Sequence, residues 1–272
     1  MNKKMIALDL DGTLLLPDGS LSQTTIDTIK AVQDLGHLVV IATGRPYRMA
    51  IDHYRTLNLK TPLISFNGSL TNIPDTKWDF EHSIKLDKKY LLEILKNKEE
   101  LEMDFIASEY RQNFYITMDR PETIQPQLFG VDKIVESMRL DPQKITRDPN
   151  ALLMQTRHQD KQLLAQEMKM HFKNELEVDS WGGPLNILEC SPKGINKAYA
   201  LTYLLNALGM SRQDLIAFGD EHNDTEMLAL AQTGYAMKNA SQTLLPFADK
   251  QLNYSNEEDG VAKELQKLFL FK

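Results

Sequence analysis

The chain has 272 residues, 42% of them hydrophobic and 25% charged, with a formal net charge of −7. This composition excludes a disordered chain or a low-complexity fibre, and the length allows one large domain or two modest ones around a real core. The acidic balance gives no electrostatic footing for nucleic acid or an anionic membrane, so an anionic ligand must be gripped locally.

The predicted elements begin with residues 5–10, apolar except at Asp9, which read as a strand buried on both faces. A helix follows, with Ser22 as N-cap, Ile26, Ile29, Val32 and Leu35 at helical spacing, and Gly36 at its end. Residues 37–42 are a second buried strand, Pro46 opens a helix, and residues 62–66 supply a third strand. Such β-α-β-α-β alternation predicts a parallel sheet with helices on both faces. The middle of the chain differs: 87–101 reads as a helix, 104–108, 113–118 and 151–157 as strands, and 160–176 as a long helix. After 185–190 the alternation returns, with helix 196–208, strand 215–218, a helix from Asn223, strand 234–237 and a C-terminal helix from Gly260. The expected fold class is α/β. A Rossmann-like, doubly wound parallel sheet forms from residues 1–82 and 189–272, interrupted by an inserted α+β domain at 83–188.

One cysteine, Cys190, cannot form an internal bridge, and the opening Met1-Asn2-Lys3-Lys4 leads into an apolar run that Asp9 and Asp11 interrupt. Both features point to an unexported chain in a reducing cytoplasm. No stretch approaches the ~18 apolar residues of a membrane span.

Four segments carry chemistry. Asp9-Leu10-Asp11-Gly12-Thr13 stands at the carboxyl end of the first strand, where open α/β sheets bind ligands. Alternation along a strand sends Asp9 and Asp11 the same general way, and two like charges that close require a cation or a shared proton. The second strand ends in Thr43-Gly44-Arg45-Pro46: a hydroxyl, a glycine whose amide can approach a ligand, and a helix start that favours anions. Arg45 either binds phosphate or pairs with a surface acid, the second being the plainer reading.

In Phe218-Gly219-Asp220-Glu221-His222-Asn223-Asp224, Asp220 lies at the sheet edge. Asn223 and Asp224 turn back to the same crevice with oxygen ligands of the kind Mg²⁺ prefers. His222 either contacts substrate or fills the turn. In Ser191-Pro192-Lys193-Gly194-Ile195-Asn196-Lys197, two lysines precede a helix, and Lys197, at the start of the helical pattern, is preferred over Lys193 as the cation that neutralises phosphate oxygens. The other five histidines show no metal spacing, and Met168, Met170, Phe172, Trp78, Trp181 and Cys190 read as packing.

With these four segments in this order, the chain resembles the haloacid dehalogenase superfamily of phosphatases, and within it the Cof-type branch with the larger inserted cap. Asp9 to Thr13 match the first motif, Thr43-Gly44 the second, Lys197 the third, and Gly219-Asp220 with Asn223-Asp224 the fourth. Asn67-Gly68 also resembles a Cof-type feature near the active-site rim, while Ala198 departs from the glycine common after the lysine. The resemblance implies Mg²⁺-dependent hydrolysis of a small phosphorylated metabolite, with Asp9 as nucleophile and Asp11 as general acid and base. It implies metal ligation by Asp9, the Asp11 backbone carbonyl, Asp220 and Asp224, the last directly or through water. It places Thr43, the Leu10 and Gly44 amides, Lys197 and Asn223 around the phosphate, and gives the cap the choice of leaving group. A phosphotransferase or phosphomutase using the same site, a phosphorylation-switched signalling module, and a non-catalytic sugar-phosphate sensor are the rival readings. The physiological ester and the oligomeric state have no signature in the sequence.

Overall fold

A computed structural model describes residues 3–181 and 185–270; Met1 and Asn2 of the basic opening lie outside the described residues. In chain order the strands are β1 (Met5–Leu8), β2 (Leu38–Ile41), β3 (Leu63–Ser65), β4 (Leu70–Asn72), β5 (His82–Ser83), β6 (Met103–Glu109), β7 (Phe114–Ile116), β8 (Ala151–Thr156), β9 (Leu176–Ser180), β10 (Ile187–Pro192), β11 (Leu215–Gly219), β12 (Thr233–Ala236) and β13 (Lys250–Gln251). The α-helices are α1 (Gln23–Asp34), α2 (Tyr47–Thr56), α3 (Lys88–Lys96), α4 (Lys161–His171), α5 (Lys197–Ala207), α6 (Thr225–Leu230) and α7 (Gly260–Leu265). The described residues form two compact units. The first holds the chain up to Arg45, Ala50–His82, and Asn196 onward; the second holds Pro46–Met49 and Ser83–Ile195.

The main sheet of the first unit has the order β13-β12-β11-β1-β2, every pair parallel. All four residues of β1 are fully buried, as an apolar strand in the middle of such a sheet must be. From β1 the chain steps to β2 on one side and returns to β11 on the other. That reversal leaves a crevice at the carboxyl ends of β1 and β11, the place where sheets of this kind hold ligands. Helix α1 packs on α7, and α5 on α6. Ser22 caps α1 by accepting from the Thr25 N–H (3.0 Å), and Gly36 leaves the helix with φ 88°. Strand β3 is not a full member of the parallel sheet. It touches it through one parallel bridge, Ala42 to Ile64, and pairs antiparallel with β4, because the chain reverses through positive φ at Phe66, Asn67 and Gly68 (52°, 51° and 107°).

The second unit is built on an antiparallel sheet of order β7-β6-β8-β10-β9. Alternation sorts its side chains: Ile106, Leu152, Met154 and Leu188 pack with Leu91 and Ile94 of α3 and Leu164 and Met168 of α4, while Phe105, Ala107, Leu153 and Ile187 pack with Phe129. Because β10 pairs with β8 and β9, this unit runs to Ile195, whereas the sequence pattern places the end of the insertion at 188. Helix α4 stops at His171 rather than reaching 176, since Lys173 and Asn174 take left-handed φ (53° and 55°), and Leu176 begins β9 instead. Met168 and Phe172 are core residues, but Met170 is 65% exposed and Trp181 36%, against the expectation of packing. Among the described residues, no helix is long and apolar enough to cross a membrane.

Candidate active site

Asp9 follows β1, with its N–H bonded to the Phe218 carbonyl (3.2 Å); Asp220 follows β11, and Thr43 lies just beyond β2, so parallel pairing delivers all three to one sheet edge. Lys197 opens α5 and is fully buried, its Nζ standing 2.6 Å from both Asp9 Oδ1 and Asp224 Oδ1. Asn196 caps the same helix by accepting from the Tyr199 N–H (2.9 Å), which holds the backbone under the lysine. The second oxygen of Asp224 accepts from the N–H groups of Asp220 (3.0 Å) and Glu221 (3.3 Å). Asp220 in turn accepts from the Thr13 hydroxyl (2.8 Å).

Carboxylate oxygens of Asp9, Asp220 and Asp224 all lie within 4.8 Å of one another. Lys197 sets one positive charge against these three acids. Burial raises the Asp9 carboxyl well above its ordinary value; Lys197 opposes the rise, and Asp224 and Asp220 add to it. Burial also pushes Asp220 up to about 7, against the Thr13 hydrogen bond and with Asp224 reinforcing it. Burial alone would weaken the Lys197 ammonium, yet Asp224 and Asp9 hold its pKa above the ordinary lysine value. Three hard oxygen donors with negative charge left over fit a divalent cation. Gly12 is required for this convergence: its φ is 71°, and a Cβ there would stand 2.1 Å from Asp220 Oδ2.

A second group adjoins Thr43, which is 1% exposed and whose hydroxyl accepts from the Arg45 N–H (3.1 Å). Asn223 Nδ2 donates to Asn67 Oδ1 (3.1 Å), and a Cβ on Gly44 would lie 3.1 Å from that same oxygen and 3.5 Å from Asn223 Nδ2. Thr43, Gly44, Asn67 and Asn223 therefore meet. Leu10 is fully buried, and its carbonyl closes the turn by accepting from the N–H groups of Thr13, Leu14 and Leu15 (3.3, 2.9 and 2.9 Å).

The Asp11 carboxylate stands outside the acid cluster. Its side chain is 60% exposed and is held by Arg45, Nε donating to Oδ2 (2.7 Å) and Nη2 to Oδ1 (2.5 Å). Arg45 thus pairs with an acid, as the plainer reading had it, but that acid is Asp11. The backbone carbonyl of Asp11 is the atom that the resemblance assigns to metal. His222 is exposed, 3.5 Å from Glu221, and Lys193 is exposed in a turn. Sequence reasoning missed the roles of Thr13, although it lies inside the first motif, and of two residues with no local signal. Asn239 donates to the Gly12 carbonyl (2.8 Å), and the Ser241 N–H to the Asp220 carbonyl (2.8 Å), bracing the two acidic loops from behind.

Residues 6–265 match the family model described as haloacid dehalogenase-like hydrolase. The chain is 33% identical over 269 residues to 5-amino-6-(5-phospho-D-ribitylamino)uracil phosphatase YitU of Bacillus subtilis (strain 168), with 97% of each chain covered. It is 28% identical over 280 residues to pyridoxal phosphate phosphatase YbhA of Escherichia coli (strain K12), again with 97% of each covered. Among solved structures, a haloacid dehalogenase-like hydrolase from Bacteroides thetaiotaomicron is similar with a TM-score of 0.83 and 25% identity, over 98% of this chain and 100% of that one.

Proposed function

The chain belongs to the haloacid dehalogenase-like hydrolases, and from that membership we propose that it is a Mg²⁺-dependent phosphatase of small phosphomonoesters that works through an aspartyl-phosphate on Asp9. Its main support is the convergence of Asp9, Asp220 and Asp224 at the sheet's carboxyl edge, where one ammonium bridges the buried Asp9 and Asp224. Asp9 attacks phosphorus, so an Asp9 O–P bond forms as the ester P–O bond breaks, and the Asp11 carboxyl gives its proton to the leaving oxygen. Water then attacks the same phosphorus, Asp11 takes its proton, and the Asp9 O–P bond breaks to release phosphate.

Asp9, the Asp11 carbonyl, Asp220 and Asp224 would hold Mg²⁺, which when bound offsets the charge on the carboxylates and on the transferring phosphoryl group. Thr43, the Leu10 and Gly44 amides, Lys197 and Asn223 bind the phosphoryl oxygens, since loose phosphoryl transition states are catalysed mainly by positioning and charge compensation. The second unit selects the leaving group. No nucleic acid or membrane partner enters this reading.

The test is a panel of phosphomonoesters, including the pyridoxal and ribitylaminouracil phosphates named for the relatives. Phosphate release should stop on chelation and return with Mg²⁺. Turnover undiminished by exhaustive chelation, or no turnover of any ester, would overturn the proposal. Transfer to an added alcohol in place of water would assign a phosphotransferase, and binding without turnover a sensor.

A further inference from the structure

We propose that Arg45, braced by His53, is a positioning residue that holds the Asp11 carboxylate for the second half of the reaction, the hydrolysis of the aspartyl-phosphate. The proposal rests on the reading of Asp9 as nucleophile and Asp11 as acid and base given above. Its observations are separate from the acid cluster. Arg45 grips both oxygens of Asp11 with a two-pronged fork (2.7 and 2.5 Å), across 34 residues of sequence. Its Nη1 lies 3.2 Å from His53 Nε2, on α2. A guanidinium only donates, so that ring nitrogen accepts and His53 carries its proton on Nδ1. Burial and the adjacent Arg45 both lower the His53 pKa, in keeping with a neutral ring.

The backbone beneath Arg45 is tied as well: its N–H donates to the Thr43 hydroxyl (3.1 Å), and its carbonyl accepts from the Phe66 N–H (3.0 Å). A side chain as exposed as Asp11 would otherwise sample several rotamers. A guanidinium fork donates to both oxygens, so it gives the carboxylate a set direction and is matched to the half-reaction in which that carboxylate accepts a proton from water. The assisted step is therefore the one in which water's oxygen bonds to phosphorus, its proton passes to Asp11, and the Asp9 O–P bond breaks.

The experiment follows p-nitrophenyl phosphate, whose leaving group departs without a proton, through pre-steady-state and steady-state turnover with Mg²⁺ present. For this ester kcat/KM reports only the formation of the aspartyl-phosphate, while kcat includes its hydrolysis. Arg45→Gln should lower kcat about ten- to a hundredfold, with KM falling in proportion and kcat/KM within about threefold of the wild type. A burst of nitrophenol near one equivalent should appear. Arg45→Lys keeps the charge but not the fork and should behave alike, which guards against a fold defect in either variant alone. His53→Gln retains an acceptor and should stay near the wild type, whereas His53→Leu should show the same split in weaker form. Loss of kcat/KM in step with kcat, or unchanged kcat in both folded Arg45 variants, would overturn the clamp. Failure of the wild type to turn over p-nitrophenyl phosphate would instead overturn the underlying assignment of function.

Discussion

Lys197 is the residue on which the charge balance of the site turns. Its ammonium bridges two buried carboxylates, and α5 begins at the same residue, so one side chain links helix, first strand and acidic loop. Lys197→Met would leave Asp9 and Asp224 buried without their partner, at a cost of about 3–5 kcal/mol. Urea unfolding measures this, and a loss under about 1 kcal/mol would mean that the acids do not depend on the lysine. Asp220 has the opposite role, because burial above all, and its like-charged neighbours after it, disfavour its ionised form. Asp220→Asn should leave the metal-free melting temperature unchanged or raised, abolish the rise that Mg²⁺ produces in the wild type, and lower turnover at least about a hundredfold. A variant whose melting temperature still responds to Mg²⁺ would remove Asp220 from the metal site. The acids were legible as chemistry because paired carboxylates after an apolar strand make poor core material. The Asp11–Arg45 fork was not, since its partners are far apart in sequence and periodicity says nothing of where a long side chain folds back.

At the scale of elements, the reversal over Phe66, Asn67 and Gly68 lies between the Thr43 loop and the start of α5. The Asn67 N–H donates to the Thr43 carbonyl (3.0 Å), and a Cβ on Gly68 would stand 2.4 Å from the Asn196 carbonyl oxygen. Gly68→Ala therefore adds a backbone clash to the strain of φ 107° and should destabilise by roughly 2 kcal/mol or more. Gly36→Ala has the strain without the clash, as nothing lies within 4 Å, and should cost only about 1 kcal/mol. Equal unfolding midpoints for the two variants would show that the turn is not wedged. The same reversal explains why β3 reads as another parallel strand: the apolar run is real, but its pairing depends on a left-handed turn that composition does not announce. Strands buried on both faces and helices with a cap, as at Ser22, stand out in the sequence. Between 118 and 150, short 3₁₀ turns such as Pro126–Phe129 send Phe129 inward with no helical or strand period to reveal it.

For the whole molecule, burial of histidine makes stability depend on pH. His37 accepts the Lys4 N–H at Nδ1 (3.1 Å) and packs on Phe269 (4.3 Å), and burial above all lowers its pKa. A histidine whose folded pKa is depressed contributes stability that is complete above its unfolded value, about 6.5, and is lost as pH falls from there toward the folded value. The His37 contribution should thus fade as pH falls below about 6.5, and His37→Gln should change the slope of melting temperature against pH in that range, losing less stability than the wild type. An unchanged slope would assign the pH dependence to other groups.

The two units divide the work in the proposed function, with chemistry in the first and choice of leaving group in the second. Exchanging residues 83–195 for the matching segment of a related phosphatase should reorder activity among esters while p-nitrophenyl phosphate is still hydrolysed. A folded chimera with the original ranking would return selectivity to the first unit.

Covalent capture of phosphate on Asp9 tests the central claim most directly. Wild-type protein mixed with p-nitrophenyl phosphate and Mg²⁺, quenched in acid within one turnover and digested, should yield a phosphorylated peptide containing Asp9. Asp9→Asn should yield none and turn over nothing. Nitrophenol release with no phosphate on that peptide at any quench time, even in the Arg45 variants expected to accumulate it, or an Asp9→Asn protein retaining about a tenth of wild-type turnover, would contradict the account.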